Sequence, residues 1–367
     1  MVDGVDLSWT YPIAPEDCLR VATETPGLDP AVAFEFGHLG RTCRALGNFG
    51  LLSCDFGDRI MSCPFYVRLH DLADFFGFPP GRINPLTTCS ILFLGLPYDQ
   101  PFNSATKLLS EVSRAGRLLA FQEALRRVLA ELGCEGLIGM ATPADLEAGG
   151  LWLWEQIYPE AKLLVRSPTI EDFIRNLGPG SRSNFGRRLR RIRDDDLRVD
   201  TLGATEASQL LDQLYECYER SYERATVKWL QMPKSFFTPS PWTERSATYL
   251  VARRGTHVVG FALMVDRRPD WLNYRMGMAD DRAANEYFAL LFRSYELAVE
   301  RKYDSIWLGP TAYETKFRLQ ASFHERRMFF DLLDPELRKW FSMAAKSVYG
   351  NIHRELRKWQ RPDSLDR

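Results

Sequence analysis

The sequence predicts an α/β (α+β) protein of two domains, each a mixed, largely antiparallel sheet flanked by helices. Three observations carry this. A chain of 367 residues exceeds what one ordinary core organises, and 45% hydrophobic with 13% aromatic residues fills two cores. Apolar runs of strand length give way, in order, to stretches with helical spacing. Both halves follow one plan of meander, helix, strand, helix. The segments LAELGCEGLIGMATPAD (129–145) and AVERKYDSIWLGPTAYE (298–314) share a helix end, a tight turn, an apolar strand and a Thr/Pro/Ala bend, which reads as an internal repeat.

Taken in order, residues 1–30 are rich in Pro and Asp and read as irregular. A first domain is expected over 31–170. Strands open it: FGLLSCDF and IMSCPFYVRL flank the turn Gly57-Asp58 as a hairpin, and SILFLGLP reads as a buried strand. Leu118, Phe121, Leu125, Val128, Leu129 and Leu132 then recur at helical spacing, and Gly133 caps that helix. EGLIGMA follows as a strand and DLEAGGLWLWEQIY as a helix. A second domain is expected over 171–333. It opens with an arginine-rich segment and a helix carrying Leu210, Leu214 and Cys217 on one face. ATYLVAR, VVGFALMVD and WLNYRMGM form a meander turning at Gly255 and Pro269. A helix from about 284 to 301, the strand SIWLGP, a short helix in TAYETKFRLQ and the strand FHERRMFF complete it. Residues 334–367 contain a basic amphipathic helix packed on the domains, with a stripe of Leu337, Trp340, Phe341, Ala344, Val348, Ile352 and Leu356.

Composition narrows the function. A net charge of −1 argues against a general nucleic-acid binder, so DNA is not an expected partner and any polyanion contact needs a local patch. The seven cysteines include no CxxC pair, which points to reduced, mostly buried thiols rather than a zinc ribbon. The five histidines are scattered, with no pair at i, i+4, and no metal is expected. No basic region followed by an apolar run marks a leader, and ILFLGLP (91–97) is too short to cross a bilayer. A cytoplasmic protein without a membrane span is the expectation.

Three stretches bear a family resemblance. FIRNLGPGSRSNFGRRLRRIRD is similar to the Ser/Arg-rich helix that opens the second domain of FemAB-like proteins. THVVGFALMV with WLNYRMGMADDRAANEYFALLFRSYELAVERKYDSIWLG resembles their central meander and helix, and TAYETKFRLQASF their closing Tyr-x-x-Lys motif. Together they cover roughly 170–330. The chain thus resembles the FemAB-like and CelD-like branch of the GNAT acyltransferases, in a tandem arrangement. The resemblance implies transfer of an acyl group from an activated donor to a small-molecule amine, forming an amide, as in a biosynthetic step. The donor would be a co-substrate rather than a tightly bound cofactor: acyl-CoA, an acyl carrier protein or aminoacyl-tRNA. One departure stands out. CoA-dependent GNAT enzymes place a Gly-rich turn at the start of the central helix, where backbone N–H groups hold pyrophosphate. Here the stretch is GMADDRAANEY, with no glycine after Gly277 and with Asp280 and Asp281 where the anion would bind. That favours the aminoacyl-tRNA alternative, while the near-neutral charge and the lack of a coiled-coil arm count against it. A non-catalytic binding protein of the same fold is the third reading.

The chemistry needs a group to accept the amine's proton and donors for the oxygen of the tetrahedral intermediate. Lys316 matches the lysine that the resemblance places near the reacting carbonyl. Tyr313 and Glu314 are candidates to hold or deprotonate the amine, and His324 is a candidate base. Tyr274 and Arg275 lie on the meander strand that lines the donor channel in this fold, and strict alternation would turn them to opposite faces. The second domain is expected to hold the chemistry and the first to shape the acceptor pocket.

The arginine segment packs six arginines into the twelve positions from Arg182 to Arg193. A helix there turns Phe185, Leu189 and Ile192 to the core and leaves Arg187, Arg188, Arg190 and Arg191 outside. Three uses stand open: ion pairs with Asp194, Asp195, Asp196 and other acids, a phosphate-bearing donor held by Arg187, Arg188 and Arg191, or a membrane or polyanion surface.

Overall fold

The computed structural model describes residues 6–76, 87–96, 104–141, 153–225, 230–280, 284–310 and 312–359. The strands are β1 (Asp6–Thr10), β2 (Asn48–Asp55), β3 (Ile60–Asp71), β4 (Thr88–Leu94), β5 (Gly136–Ala141), β6 (Leu153–Gln156), β7 (Glu160–Leu164), β8 (Leu197–Leu202), β9 (Ala247–Arg254), β10 (His257–Arg267), β11 (Asp270–Met278), β12 (Ser305–Gly309), β13 (Ser322–His324) and β14 (Arg327–Leu332). They form two seven-stranded sheets, β1-β2-β3-β4-β5-β14-β6 and β8-β9-β10-β11-β12-β7-β13. In each sheet only the fourth and fifth strands pair in parallel. The fold class is the expected α/β one, with two domains built around mixed, largely antiparallel sheets.

The two sheets have the same connectivity, and each accepts a strand from the other half of the chain. FHERRMFF, expected as a single strand of the second domain, is divided. Ser322–His324 stays in the second sheet, while Arg327–Leu332 enters the first between β5 and β6. In return β7, from the first half, lies between β12 and β13. The chain accordingly divides into two compact units, each discontinuous in sequence.

In the first unit the hairpin β2–β3 and the strand β4 are as expected. Four elements differ from the sequence reading: β1, two helices before the first long strand, and β6. Residues 6–10 are not irregular: β1 pairs along β2, with Leu7 and Trp9 packed against the core. The helix α1 (Cys18–Glu24) and the helix α2 (Pro30–Thr42) occupy the stretch before the first long strand. Asp29 caps α2 by accepting from the Ala31 N–H, and Pro30 takes the first turn, where its missing N–H costs nothing. The two helices touch through glycine, since a Cβ at Gly40 would stand 2.3 Å from Cys18 Sγ. Finally, Leu153–Gln156 is strand β6 rather than helix, because the free edge of β14 gives its backbone a ladder partner; the preceding 142–152 lie outside the described residues.

The helices α3 (Ser104–Arg114) and α4 (Leu118–Glu131) cover one face of this sheet. Phe121, Leu125, Val128 and Leu129 of α4 are at most 1% exposed, as their spacing requires. Gly133 follows the helix at φ +64°, the left-handed cap position. All seven cysteines of the chain are buried and none is disulfide-bonded.

His70 is buried between Phe75 and Phe93, and neither ring nitrogen has a hydrogen-bond partner among the described residues. Burial lowers its pKa to about 3, and burial likewise brings His38 to about 4. Both values lie below that of an unfolded histidine, so the unfolded chain takes up these protons first as pH falls. Stability is therefore complete above about pH 6.5 and is lost below it, at about 1.4 kcal/mol per pH unit for each histidine. Denaturant unfolding between pH 7 and 4 should show this slope, and His70→Leu should remove about half of it. An unchanged slope would contradict the burial of a neutral imidazole.

The second unit contains α5 (Ile170–Arg175), α6 (Pro179–Asp194), α7 (Ala204–Ser208), α8 (Leu211–Arg224), α9 (Pro241–Ser246), α10 (Ala284–Glu300) and α11 (Tyr313–Arg318). Helix α10 lays Phe288, Leu291, Tyr295 and Ala298 into a core with Leu250, Ala262, Met264, Trp271 and Ile306. Helix α8 crosses β11 so closely that a Cβ on Gly277 would lie 2.7 Å from the Tyr218 backbone nitrogen. The last helix, α12 (Pro335–Trp359), buries Phe341, Ala345, Tyr349 and Leu356. Ala345 and Tyr349 replace the expected Ala344 and Val348, and the Tyr349 hydroxyl donates to the Phe75 carbonyl at 2.9 Å. No helix among the described residues is long and apolar enough to cross a membrane.

Candidate functional site

The second sheet opens at one place. β11 and β12 pair in parallel only through Asp270–Ser305, Trp271–Ile306 and Leu272–Trp307. Past Leu272 β11 continues beside β10 to Met278, while β12 continues only beside β7. At this divergence β11 bulges. Leu263 of β10 faces Arg275 and Met264 faces Asn273, so Tyr274 is the extra residue. Bulges end pairing and re-aim side chains.

That bulge corrects the strict alternation expected for Tyr274 and Arg275. The Arg275 guanidinium stacks on the Tyr274 ring, 5.0 Å from its centroid, and donates to the Tyr274 carbonyl. Tyr274 is itself buried against Trp242 of α9, with ring centroids 5.6 Å apart. The two residues therefore act as one unit. Beside them Asn273 places a buried Oδ1 that finds no hydrogen-bond partner among the described residues. Nothing in the sequence marked Asn273; only the end of the strand pairing does.

The turn after β12 bears Lys316. Its Nζ is buried and donates to the carbonyls of Leu308, Gly309 and Pro310 at 2.9, 2.8 and 2.8 Å. The backbone reaches this geometry through left-handed residues at Gly309, φ +69°, and at Ala312, φ +47°. Ala312 is a rare residue for that region, and such conformations persist where surroundings impose them. Burial draws the Lys316 pKa down to about 7, and the charge of Glu160 opposes this. The three carbonyls call for an ammonium, since a neutral amine has only two N–H groups. All three donors are thus engaged by the main chain, which makes Lys316 the clasp of the β12–α11 turn in this structure.

The other predicted residues are distributed around that turn. Tyr313 donates from its hydroxyl to the Pro159 carbonyl at 3.0 Å and meets Phe323 edge-on. Glu314 is exposed and pairs with Arg318 one turn on, at 2.7 Å. His324 is exposed on β13, with Nε2 3.1 Å from the Ser322 hydroxyl and its ring against Trp307. Sequence reasoning missed the charged network behind them. Asp270 accepts from Ser305 and from Lys162, the latter at 3.0 Å, and Lys162 lies over the Trp307 ring. Burial alone would raise the Asp270 carboxyl, but the hydrogen bond from Ser305 and the Lys162 ammonium hold it below its usual value. Its signal was an acid at the start of a strand and a lysine inside another, at Asp270 and Lys162.

The arginine segment is helical, with Phe185 and Leu189 buried and Ile192 packed beside them. The ion pairs differ from those expected. Asp195 binds Arg254 in bidentate fashion at 2.6 and 2.7 Å, and that hydrogen bonding lowers its pKa. Arg193 pairs with Glu171 of α5. Arg188 stacks 4.4 Å from the Phe288 centroid and donates to Asn184. Among the described residues no ion pair or hydrogen bond reaches Arg187, Arg190 or Arg191. Of the two acids that replace the Gly-rich turn, Asp280 ends the described stretch, and Asp281 lies outside the described residues.

No known family profile matches the sequence, and no curated protein does. Solved structures do match the fold. L-PGS from Bacillus licheniformis superposes with a TM-score of 0.55 at 11% identity, covering 92% of this chain and 98% of that one. FemX superposes with a TM-score of 0.51 at 8% identity, covering 91% and 100%. The chain thus has the two-domain α/β fold of these proteins, along nearly its whole length.

Proposed function

We propose that this protein is a GNAT-type acyltransferase that moves an acyl group from an activated donor to an amine. The observation that carries the reading is the divergence of β11 from β12 at Leu272–Trp307, with the bulge at Tyr274 beside it. A strand edge left without a partner presents fixed N–H groups to a carbonyl oxygen, and such preorganised donors stabilise the oxyanion of a tetrahedral intermediate. The amine attacks the acyl carbon, the oxyanion collapses, and the thiol or hydroxyl of the donor leaves with a proton. Asn273 and Arg275 would orient the donor at the same opening. The fold shared with L-PGS and FemX supports the class of reaction.

Two donors fit. A thioester on CoA or on a carrier protein suits the opening itself. Aminoacyl-tRNA is favoured by one observation, the exposed Arg187 and Arg191, whose side chains have no ion pair or hydrogen bond among the described residues. The decisive experiment incubates the full chain with acetyl-CoA, a long-chain acyl-CoA, an acylated carrier protein or bulk aminoacyl-tRNA, and follows donor consumption and new amides by mass spectrometry against an amine panel. One donor should be consumed, and Asn273→Ala and Arg275→Ala should lower that rate about 10- to 100-fold. Failure of every donor, or consumption indifferent to both substitutions, would overturn the proposal.

A further inference from the structure

Helices α5 and α6 line an open groove of about 560 Å³ in the second unit. Arg175, Arg182, Arg190 and Arg193 line it, with Ile174 and Leu189 also on its walls. The volume falls within the range of small-molecule sites. None of Arg187, Arg188 and Arg191, the arginines the sequence reading set aside for a donor, lines it.

Two independent features of the groove point to a ligand. The first is charge. Arg193 is paired with Glu171, Arg175 with Asp172 at 2.6 Å, and Arg182 donates to the Leu177 carbonyl. Arg190 has no ion pair or hydrogen bond among the described residues. The second is Gly186, which lines the groove within α6. Glycine is the poorest helix former after proline, and a close neighbour is one reason for placing it inside a helix. Here the neighbour is missing: a Cβ would meet only Arg190 Nη1 at 3.8 Å and Ile174 Cγ2 at 4.0 Å, both ordinary contacts. By contrast, Gly277 and Gly40 are fixed by atoms within 3 Å. The protein accepts a weaker helix at Gly186 and leaves the space above it open.

We infer that this groove binds a phosphorylated small molecule that also carries an apolar ring or chain. The phosphate sits over Gly186, where Arg190 meets it with a bidentate guanidinium and Ser183 and Arg182 add donors. The apolar portion lies on the aliphatic stems of Arg182 and Arg190, beside Ile174 and Leu189, which are only 5% and 8% exposed. A continuous polyanion is the poorer fit, because the Glu171 carboxylate stands on the same wall and repels a second phosphate in that direction. The assignment does not depend on the transfer reaction.

The test is calorimetric titration of the full chain with AMP, inorganic phosphate and pyrophosphate at physiological salt. A short single-stranded RNA and vesicles containing anionic phospholipid form the other arms. AMP should bind saturably and about tenfold more tightly than inorganic phosphate, through the apolar wall. Arg190→Ala should weaken AMP at least tenfold, and this exposed side chain contributes nothing to the core. Gly186→Leu should weaken it as much while leaving the melting temperature equal or higher, since leucine is the better helix former. Arg187→Ala, outside the groove, should change it less than twofold. The inference fails if AMP does not bind saturably, if AMP binds no better than inorganic phosphate or pyrophosphate, or if Arg190→Ala and Gly186→Leu leave AMP binding unchanged. RNA or vesicle binding carried by these residues in the absence of AMP binding would also overturn it.

Discussion

Lys316→Met should lower the stability of the protein by about 3–5 kcal/mol, which in a domain of this size is about 10 °C in melting temperature. Methionine keeps the length of the apolar stem, with sulfur in place of one methylene, and removes the ammonium. The carbonyls of Leu308, Gly309 and Pro310 would then be left buried around a thioether that donates nothing. Each unsatisfied acceptor costs about 1–3 kcal/mol. The turn also holds Ala312 at φ +47°, a conformation it would leave once the clasp is gone. Transfer activity should therefore disappear together with the turn. Lys316→Arg should not rescue it, because a planar fork cannot converge on three carbonyls as an ammonium does. A cation acting at the oxyanion alone would behave differently: kcat would fall while melting stayed constant. Thermal unfolding of Lys316→Met beside its kcat separates the two cases, and an unchanged melting temperature would refute the clasp.

The second large effect is expected at Gly277. Gly277→Ala should cost about 3 kcal/mol, the upper part of the usual range for overpacking. The added methyl would lie 2.5 Å from Phe261 Cε1, 2.7 Å from the Tyr218 nitrogen and 2.8 Å from the Cys217 carbonyl carbon. The phenyl ring can turn, but the two α8 backbone atoms can retreat only if the helix lifts from the sheet. Helix α8 also donates from Arg220 and Arg224 to the carbonyls of Ala279 and Met278, at the end of β11. Displacement would therefore loosen the strand that carries Asn273, Tyr274 and Arg275. Urea unfolding should show a lower midpoint with an unchanged slope. A stability equal to that of the wild type would mean that α8 does not rest on the Gly277 Cα.

The periodic elements were legible in the sequence because burial writes them there. Helices α4, α8 and α10 and the meander β9–β11 carry one-sided apolar spacing, and each lies where that spacing put it. Helix α2 was also legible in retrospect, since Asp29-Pro30 is a helix start, yet its apolar residues are interrupted by Gly37 and Gly40, which serve contact with α1 instead. Partnership between strands was not legible. Nothing in RMFFDL states that it pairs with GLIGMA rather than with the strand preceding it, because pairing is decided by packing across the whole sheet. The candidate site follows the same division. The helix and turn that carry Tyr313 and Lys316 could be read, whereas the bulge at Tyr274 and the network around Asp270 exist only once β7, β11 and β12 are side by side.

The insertion of β14 beside β5 has a consequence for how the chain is made. Translation proceeds from the N-terminus, and β5 ends at Ala141 while β14 ends at Leu332. Roughly 190 residues separate them, which a ribosome adds in roughly 10 to 40 s. Throughout that interval the first sheet has been synthesised without its sixth strand, and β5 offers an open hydrogen-bonding edge of Gly136–Ala141. Such edges recruit other strands, including those of neighbouring nascent chains. Cutting the gene into halves would make this transient state permanent, because each half would lack a strand that only the other encodes. The protein is in this sense a single folding unit with two sheets, and β5 keeps an open edge until β14 has been made.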